Sequence, residues 1–86
     1  MSAPLLELYY FSSCPFCQIV LEVIEELNLQ VDLKDLMTNK ENLNRLVGDT
    51  GRRTVPCMYI DGKPMFESRD IMKWLRDNKR NLKTKN

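Results

Sequence analysis

The spacing of apolar and polar residues changes from one segment of this chain to the next. Leu5-Leu6-Glu7-Leu8-Tyr9-Tyr10-Phe11 is an almost unbroken apolar run that stops at Ser12-Ser13. Such a run reads as a strand buried on both faces, as in a parallel sheet. Pro15 follows, and proline suits the first position of a helix. From there Ile19, Val20, Val23, Ile24 and Leu27 recur on one helical face, with Glu22, Glu25 and Glu26 off it. Asn28 ends that helix. Val31-Asp32-Leu33-Lys34-Asp35-Leu36 alternates with period two, as a half-exposed edge strand does. Thr38 and Glu41 have capping-box spacing. Leu43, Leu46 and Val47 supply the next helix with an apolar face, and Gly48 is expected to stop it.

The second half is built differently. Cys57-Met58-Tyr59-Ile60 is a short apolar strand, and Asp61-Gly62 is a two-residue hairpin signal. Lys63-Pro64-Met65-Phe66 forms the returning arm. Pro64 has no N–H for a ladder, which assigns this arm to the sheet edge. Ser68 is placed to cap a last helix carrying Ile71, Met72, Trp74 and Leu75. The order is strand, helix, strand, helix, strand, strand, helix. A right-handed βαβ unit is followed by a hairpin closed by a helix. The expected class is α/β: one four-stranded mixed sheet covered by three helices. No repeat, linker or low-complexity stretch interrupts it, so residues 1–86 are expected to form a single domain.

Composition narrows the chemistry. At 86 residues the core is modest. A chain 43% hydrophobic and 29% charged is globular rather than disordered. The net charge of +1 gives no footprint for nucleic acid or a membrane surface. Lys79, Arg80, Lys83 and Lys85 make the C-terminus basic, and residues 79–86 read as a frayed, solvated tail. No apolar run approaches the ~20 residues of a membrane-crossing helix. No basic-then-apolar leader is visible at the start. A cytoplasmic protein is therefore expected. The chain has no histidine, which removes Ser-His-Asp and Cys-His catalysis. It also leaves only thiols and carboxylates as good ligands, so no metal site is expected.

Three cysteines remain: Cys14, Cys17 and Cys57. An odd number without a secretory leader speaks against a disulfide scaffold. Cys14-Pro15-Phe16-Cys17 sits where the first strand gives way to the first helix. The pair could be two buried thiols, a two-thiolate metal site or a redox dithiol. Position favours the last. Cys14 meets a helix N-terminus, where unpaired amides and the helix dipole favour an anion. Thiolate is the form that attacks disulfides. Cys17 lies one turn on along the same face and can close a disulfide with Cys14. Cys57, Tyr59 and Trp74 read as packing residues.

Cys14-Pro15-Phe16-Cys17, the Thr54-Val55-Pro56 segment and the Asp61-Gly62 hairpin with its following helix together resemble the glutaredoxin branch of the thioredoxin fold. The resemblance runs from Leu6 to Asn78. Ser12-Ser13 before the motif fits glutaredoxins better than thioredoxins. The resemblance implies a thioredoxin/glutaredoxin fold with a cis Val55–Pro56 bond. It implies catalytic Cys14 and Cys17; a monomer is expected. It also implies glutathione as co-substrate, with no tightly bound cofactor. The partners would be disulfide-containing or glutathionylated proteins. Pro15, Phe16, Arg53, Thr54, Val55 and Pro56 would line the glutathione groove, and Arg52 is a further cation near it. Two positions depart from the pattern. Phe11 stands where many glutaredoxins carry Lys or Arg. Glu67-Ser68 resembles the pair with which glutathione transferase N-terminal domains bind the γ-glutamyl end of glutathione. A complete transferase would need a second, helical domain, for which 86 residues leave no room. Two other functions fit the same resemblance: a glutathione-ligated iron–sulfur cluster carrier, which Pro15 disfavours, and a glutathione-binding module without turnover.

Overall fold

Leu6, Glu7, Leu8 and Tyr9 are all buried, as befits an inner strand of the sheet. The computed structural model describes residues 3–85. It contains β1 (Leu6–Tyr10), α1 (Pro15–Glu26), β2 (Asp32–Asp35), α2 (Lys40–Thr50), β3 (Cys57–Ile60), β4 (Lys63–Phe66) and α3 (Ser68–Asn78). A 3-10 turn at Lys79–Asn81 follows. The sheet order is β2-β1-β3-β4. β1 pairs with β2 in parallel and with β3 antiparallel; β3 pairs with β4 antiparallel. The expected mixed sheet with three helices is observed, and Pro64 lies on the edge strand β4.

Period two along β1 divides the core into two faces. Leu6 and Leu8 point toward α1 and α3, where they pack with Val20, Val23, Ile24, Leu29, Met58, Ile71, Leu75 and Leu82. Tyr9 points the other way, into a smaller cluster with Leu36, Leu46, Cys57 and Tyr59 beneath α2. Trp74 is partly buried against the first cluster.

Four local expectations are corrected. Asn39, not Thr38, caps α2, its side chain accepting the Glu41 N–H at 2.9 Å. Asparagine is the stronger cap of the two. Gly48 lies inside α2, which runs on to Thr50. A helix can pass through a glycine at a cost of about 1 kcal/mol. The stop is Gly51, left-handed at φ 71, whose N–H bonds the Val47 carbonyl at 2.8 Å. Ser68 is the first residue of α3 rather than its cap; Glu67 takes the cap position at φ 75 and ψ 115.

The fourth correction concerns the tail, which is docked through residue 85. Leu82 is 7% exposed within the larger core. The Lys83 carbonyl accepts the Gln30 N–H at 2.9 Å, and the Lys85 N–H reaches the Asn28 carbonyl at 3.0 Å. Leu29 and Thr84 form an antiparallel bridge. The charges concealed this because main-chain bonding needs no side-chain signature. Asn86 lies outside the described residues.

Leu82→Ala is expected to cost about 2–4 kcal/mol by denaturant titration, as other buried Leu→Ala changes do. A loss below about 0.5 kcal/mol, typical of exposed positions, would return the tail to solvent.

Candidate active site

Strand register gathers the site. Tyr9 pairs with Cys57, and Cys57 with Phe66, so the three residues form one row across β1, β3 and β4. Just beyond that row, β1 runs out toward Phe11 and Cys14. The chain enters β3 through Val55–Pro56 and leaves β4 through Glu67–Ser68. Antiparallel pairing therefore delivers all three connections to the same end of the sheet.

Cys14 is the N-cap residue of α1, with extended φ −85 and ψ 119, and Pro15 opens the helix. The Cys14 N–H donates to the Phe11 carbonyl at 3.2 Å, and the Gln18 N–H to the Cys14 carbonyl at 3.0 Å. The Gln18 side-chain amide donates to the Ser12 carbonyl and holds the turn before Cys14. No side chain caps α1, so its first-turn amides face outward around Cys14. Cys14 is half-exposed and Cys17 is fully buried; neither is in a disulfide. The Cys17 thiol is pushed up to about 12, mainly by burial. A hydrogen bond from the Phe11 main chain opposes that shift, and the bond from Cys17 to the Cys14 sulfur adds to it. One thiol is thus within reach of a substrate, and the other keeps its proton beneath it.

Beside Cys14, Phe16, Thr54, Val55, Pro56, Glu67 and Ser68 enclose a cleft of about 140 Å³. The Val55–Pro56 bond is cis, as the resemblance implies. Among the described residues the Val55 main chain has no hydrogen-bond partner. Phe16 is 61% exposed and forms one wall. Glu67 and Ser68 also border an open depression of about 450 Å³ around the first turn of α3, shared with Arg69 and Asp70. The Glu67 carbonyl accepts the Ile71 N–H at 3.0 Å, which leaves the amides before Ile71 without helical acceptors. This is a positive helix end open to solvent.

Of the residues singled out by sequence, the structure brings Phe16, Thr54, Val55, Pro56, Glu67 and Ser68 around one cleft, with Cys14 and Pro15 adjoining it in the chain. Arg53 is exposed and is not part of the lining. Arg52, its neighbour, lies over the Phe66 ring at 4.8 Å. Nothing in the sequence spacing pairs an arginine after α2 with an aromatic ring in β4. Cys57 is fully buried in the α2-side core, where burial pushes its thiol up to about 11.

With this geometry in place, the comparisons decide the family. The glutathione S-transferase N-terminal domain model matches residues 8–82. The chain belongs to that family. Solved structures of similar shape fall on two sides of it. A wheat glutaredoxin is 29% identical with a TM-score of 0.64, covering 84% of this chain and 70% of that one. A buckwheat glutaredoxin–glutathione complex is 25% identical with a TM-score of 0.69, covering 88% and 72%. An epsilon-class glutathione S-transferase from housefly is 25% identical with a TM-score of 0.70; the match covers 85% of this chain but only 34% of that one. The glutathione S-transferase N-terminal domain seen here thus spans about a third of that transferase. A sequence search of curated proteins found no match. The thioredoxin fold expected from sequence is the fold of this family member.

The two buried thiols give this domain an alkaline limit. Cys17 and Cys57 stay protonated in the folded chain to about 12 and about 11, against 9.0 for a free thiol. The folded state holds protons that the unfolded state releases. Their contribution is therefore complete below about pH 9 and is lost as pH rises through the folded values. Each thiol adds a slope of up to about 1.4 kcal/mol per pH unit in that window. Denaturant midpoints under reductant are expected to be flat from pH 7 to 9 and to fall above it, less steeply in Cys57→Ala. A midpoint that stayed level to pH 10.5 would contradict the assignment.

Proposed function

We propose that this protein is a glutathione-dependent thiol–disulfide oxidoreductase of the glutaredoxin kind. It reduces protein disulfides and glutathione mixed disulfides through Cys14 and Cys17. The observation that carries the reading is a half-exposed Cys14 at the α1 N-cap, with Cys17 buried one helical turn on and the intervening Phe16 lining a cleft. The buckwheat neighbour, a glutaredoxin–glutathione complex, supports glutathione as the ligand.

In this reading glutathione lies extended along the cleft with its sulfur at Cys14. The unpaired Val55 N–H and C=O bond its cysteinyl main chain, as a sheet edge captures a peptide. Thr54, Pro56, Phe16 and Pro15 form the walls. The Ser68 hydroxyl and the first amides of α3 receive the γ-glutamyl carboxylate at the positive helix end. Glu67 pairs with the ligand's ammonium. Arg53 meets the glycyl carboxylate at the exposed rim.

The chemistry is thiolate exchange. With a glutathionylated protein, the Cys14 thiolate attacks the glutathione sulfur and the S–S bond breaks. The protein leaves as a thiolate and takes up a proton. A second glutathione thiolate then attacks the mixed disulfide, releasing Cys14 thiolate and glutathione disulfide. With a protein disulfide, the Cys14 thiolate attacks one sulfur, the S–S bond breaks, and the other protein sulfur leaves as a thiolate that takes up a proton, giving a mixed disulfide to Cys14. Cys17 gives up its proton to the departing protein sulfur and attacks Cys14. The protein leaves as a dithiol, and two glutathiones reduce the Cys14–Cys17 bond. The reading includes a cytoplasmic setting, where glutathione keeps thiols reduced.

Cys14→Ser is expected to abolish reduction of both substrate types. Cys17→Ser should keep turnover of a small glutathione mixed disulfide, which glutathione itself can resolve, and lose most activity on an intramolecular protein disulfide. Both activities are read by coupling to glutathione reductase. A Cys17→Ser protein dead on both substrates, beside an active Cys14→Ser protein, would reverse the roles.

A further inference from the structure

Glu7 is the one charged residue in the buried strand β1, at 7% exposure. A carboxylate in that position needs a counter-charge. It comes from α2. Arg45 Nη1 donates to Glu7 Oε2 at 2.9 Å, and Arg45 Nε pairs with Asp49 Oδ2 at 3.5 Å. The guanidinium lies over the Tyr59 ring at 4.7 Å and near the Tyr9 ring at 5.7 Å. The Tyr59 hydroxyl donates to Asp49 Oδ2 at 2.9 Å. Two rings, two carboxylates and one guanidinium thus join the sheet to a single turn of α2.

This tie matters because the apolar anchorage of α2 is thin. Leu46 is its only buried residue, and Val47 is exposed. The end of α2 leads directly into the cleft. The Thr50 hydroxyl donates to the Leu46 carbonyl at 2.7 Å and accepts the Arg52 N–H at 3.1 Å. Gly51 turns the chain, Arg52 seats on Phe66, and Thr54-Val55-Pro56 becomes the cleft wall.

We propose that Arg45 is a positioning residue for the cleft: by pinning α2 to Glu7, Tyr9 and Tyr59, it sets where the Thr54–Pro56 wall stands relative to Cys14. Arg45 touches no substrate and acts through the chain that follows it. The planar fork and the stacking over two rings are properties of arginine that lysine lacks. The proposal rests on the glutathione reading above and concerns the substrate-binding wall of that same site.

The test uses Arg45→Lys, which keeps the charge beside Glu7, and Glu7→Gln/Arg45→Met, which removes both charges together. The wild-type protein and both variants are assayed on a small glutathione mixed disulfide. Alkylation of Cys14 by iodoacetamide and amide exchange over residues 51–56 are measured in parallel. Both variants are expected to raise KM about three- to thirtyfold, the range seen when residues coupled to a site are changed. The Cys14 alkylation rate is expected to stay within about twofold of wild type, because the α1 terminus is untouched. Faster exchange over residues 51–56 should accompany the KM rise. Unchanged KM in both folded variants overturns the proposal, as does a fall in Cys14 alkylation matching the KM change. A wild-type protein without turnover overturns the glutathione reading instead, which keeps the two failures apart.

Discussion

Antiparallel pairing of β3 with β1 and with β4 is the constraint on which the site depends. It aligns Tyr9, Cys57 and Phe66 in one row. Whatever follows β1, precedes β3 or follows β4 must then lie at one end of the sheet. Cys14, Val55–Pro56 and Glu67–Ser68 are far apart in sequence and are neighbours for this reason alone. A register slip of one residue in β3 would turn Cys57 and Tyr59 to the other face and break both cores at once. The packing that stabilises the domain therefore also sets the geometry of the cleft.

The two ends of the site use helix termini differently. At α1 the cap position is given to a thiol instead of an oxygen acceptor, so the first-turn amides stay available around Cys14. At α3 the cap position is held by Glu67 at φ 75, in a region that residues other than glycine, asparagine and aspartate rarely enter. Such a conformation costs on the order of 1–3 kcal/mol and persists where the surroundings hold it. Asn28 and Asp61 also have positive φ, but their side chains suit it and they only turn the chain. Glu67 has no such excuse from its side chain, and it borders the cleft. Strain and exposed amides coincide where the γ-glutamyl end of glutathione is proposed to bind.

Most of the fold was legible because the apolar pattern and the turn chemistry agree. The β1 run, the α1 stripe, the Asp61-Gly62 hairpin and the edge proline each point to the element that forms. The site was legible through Cys14-x-x-Cys17 and through the resemblance of Thr54-Val55-Pro56 and Glu67-Ser68 to known patterns. The misses share a cause: they turn on partners distant in sequence or on main-chain geometry. Gly48 and Gly51 are equal as letters, and only the chain path chooses Gly51 as the stop. The docking of the basic tail depends on Leu82 and on main-chain bonds to Asn28 and Gln30. The Arg45 tie left one trace, a lone glutamate in an otherwise apolar strand. Such a residue announces a buried counter-charge but not where along the chain it lies.

In the proposed complex, glutathione bound through Cys14 lies along the wall formed by Val55, Glu67 and Ser68. The most direct measurement is amide chemical-shift mapping of Cys17→Ser protein loaded with glutathione on Cys14, compared with the same protein reduced. The largest shifts are expected at Val55, Glu67 and Ser68, with Phe16 affected as a wall of the same cleft. Shifts confined to the turn before Cys14, or centred on the Leu29–Thr84 bridge, would contradict it.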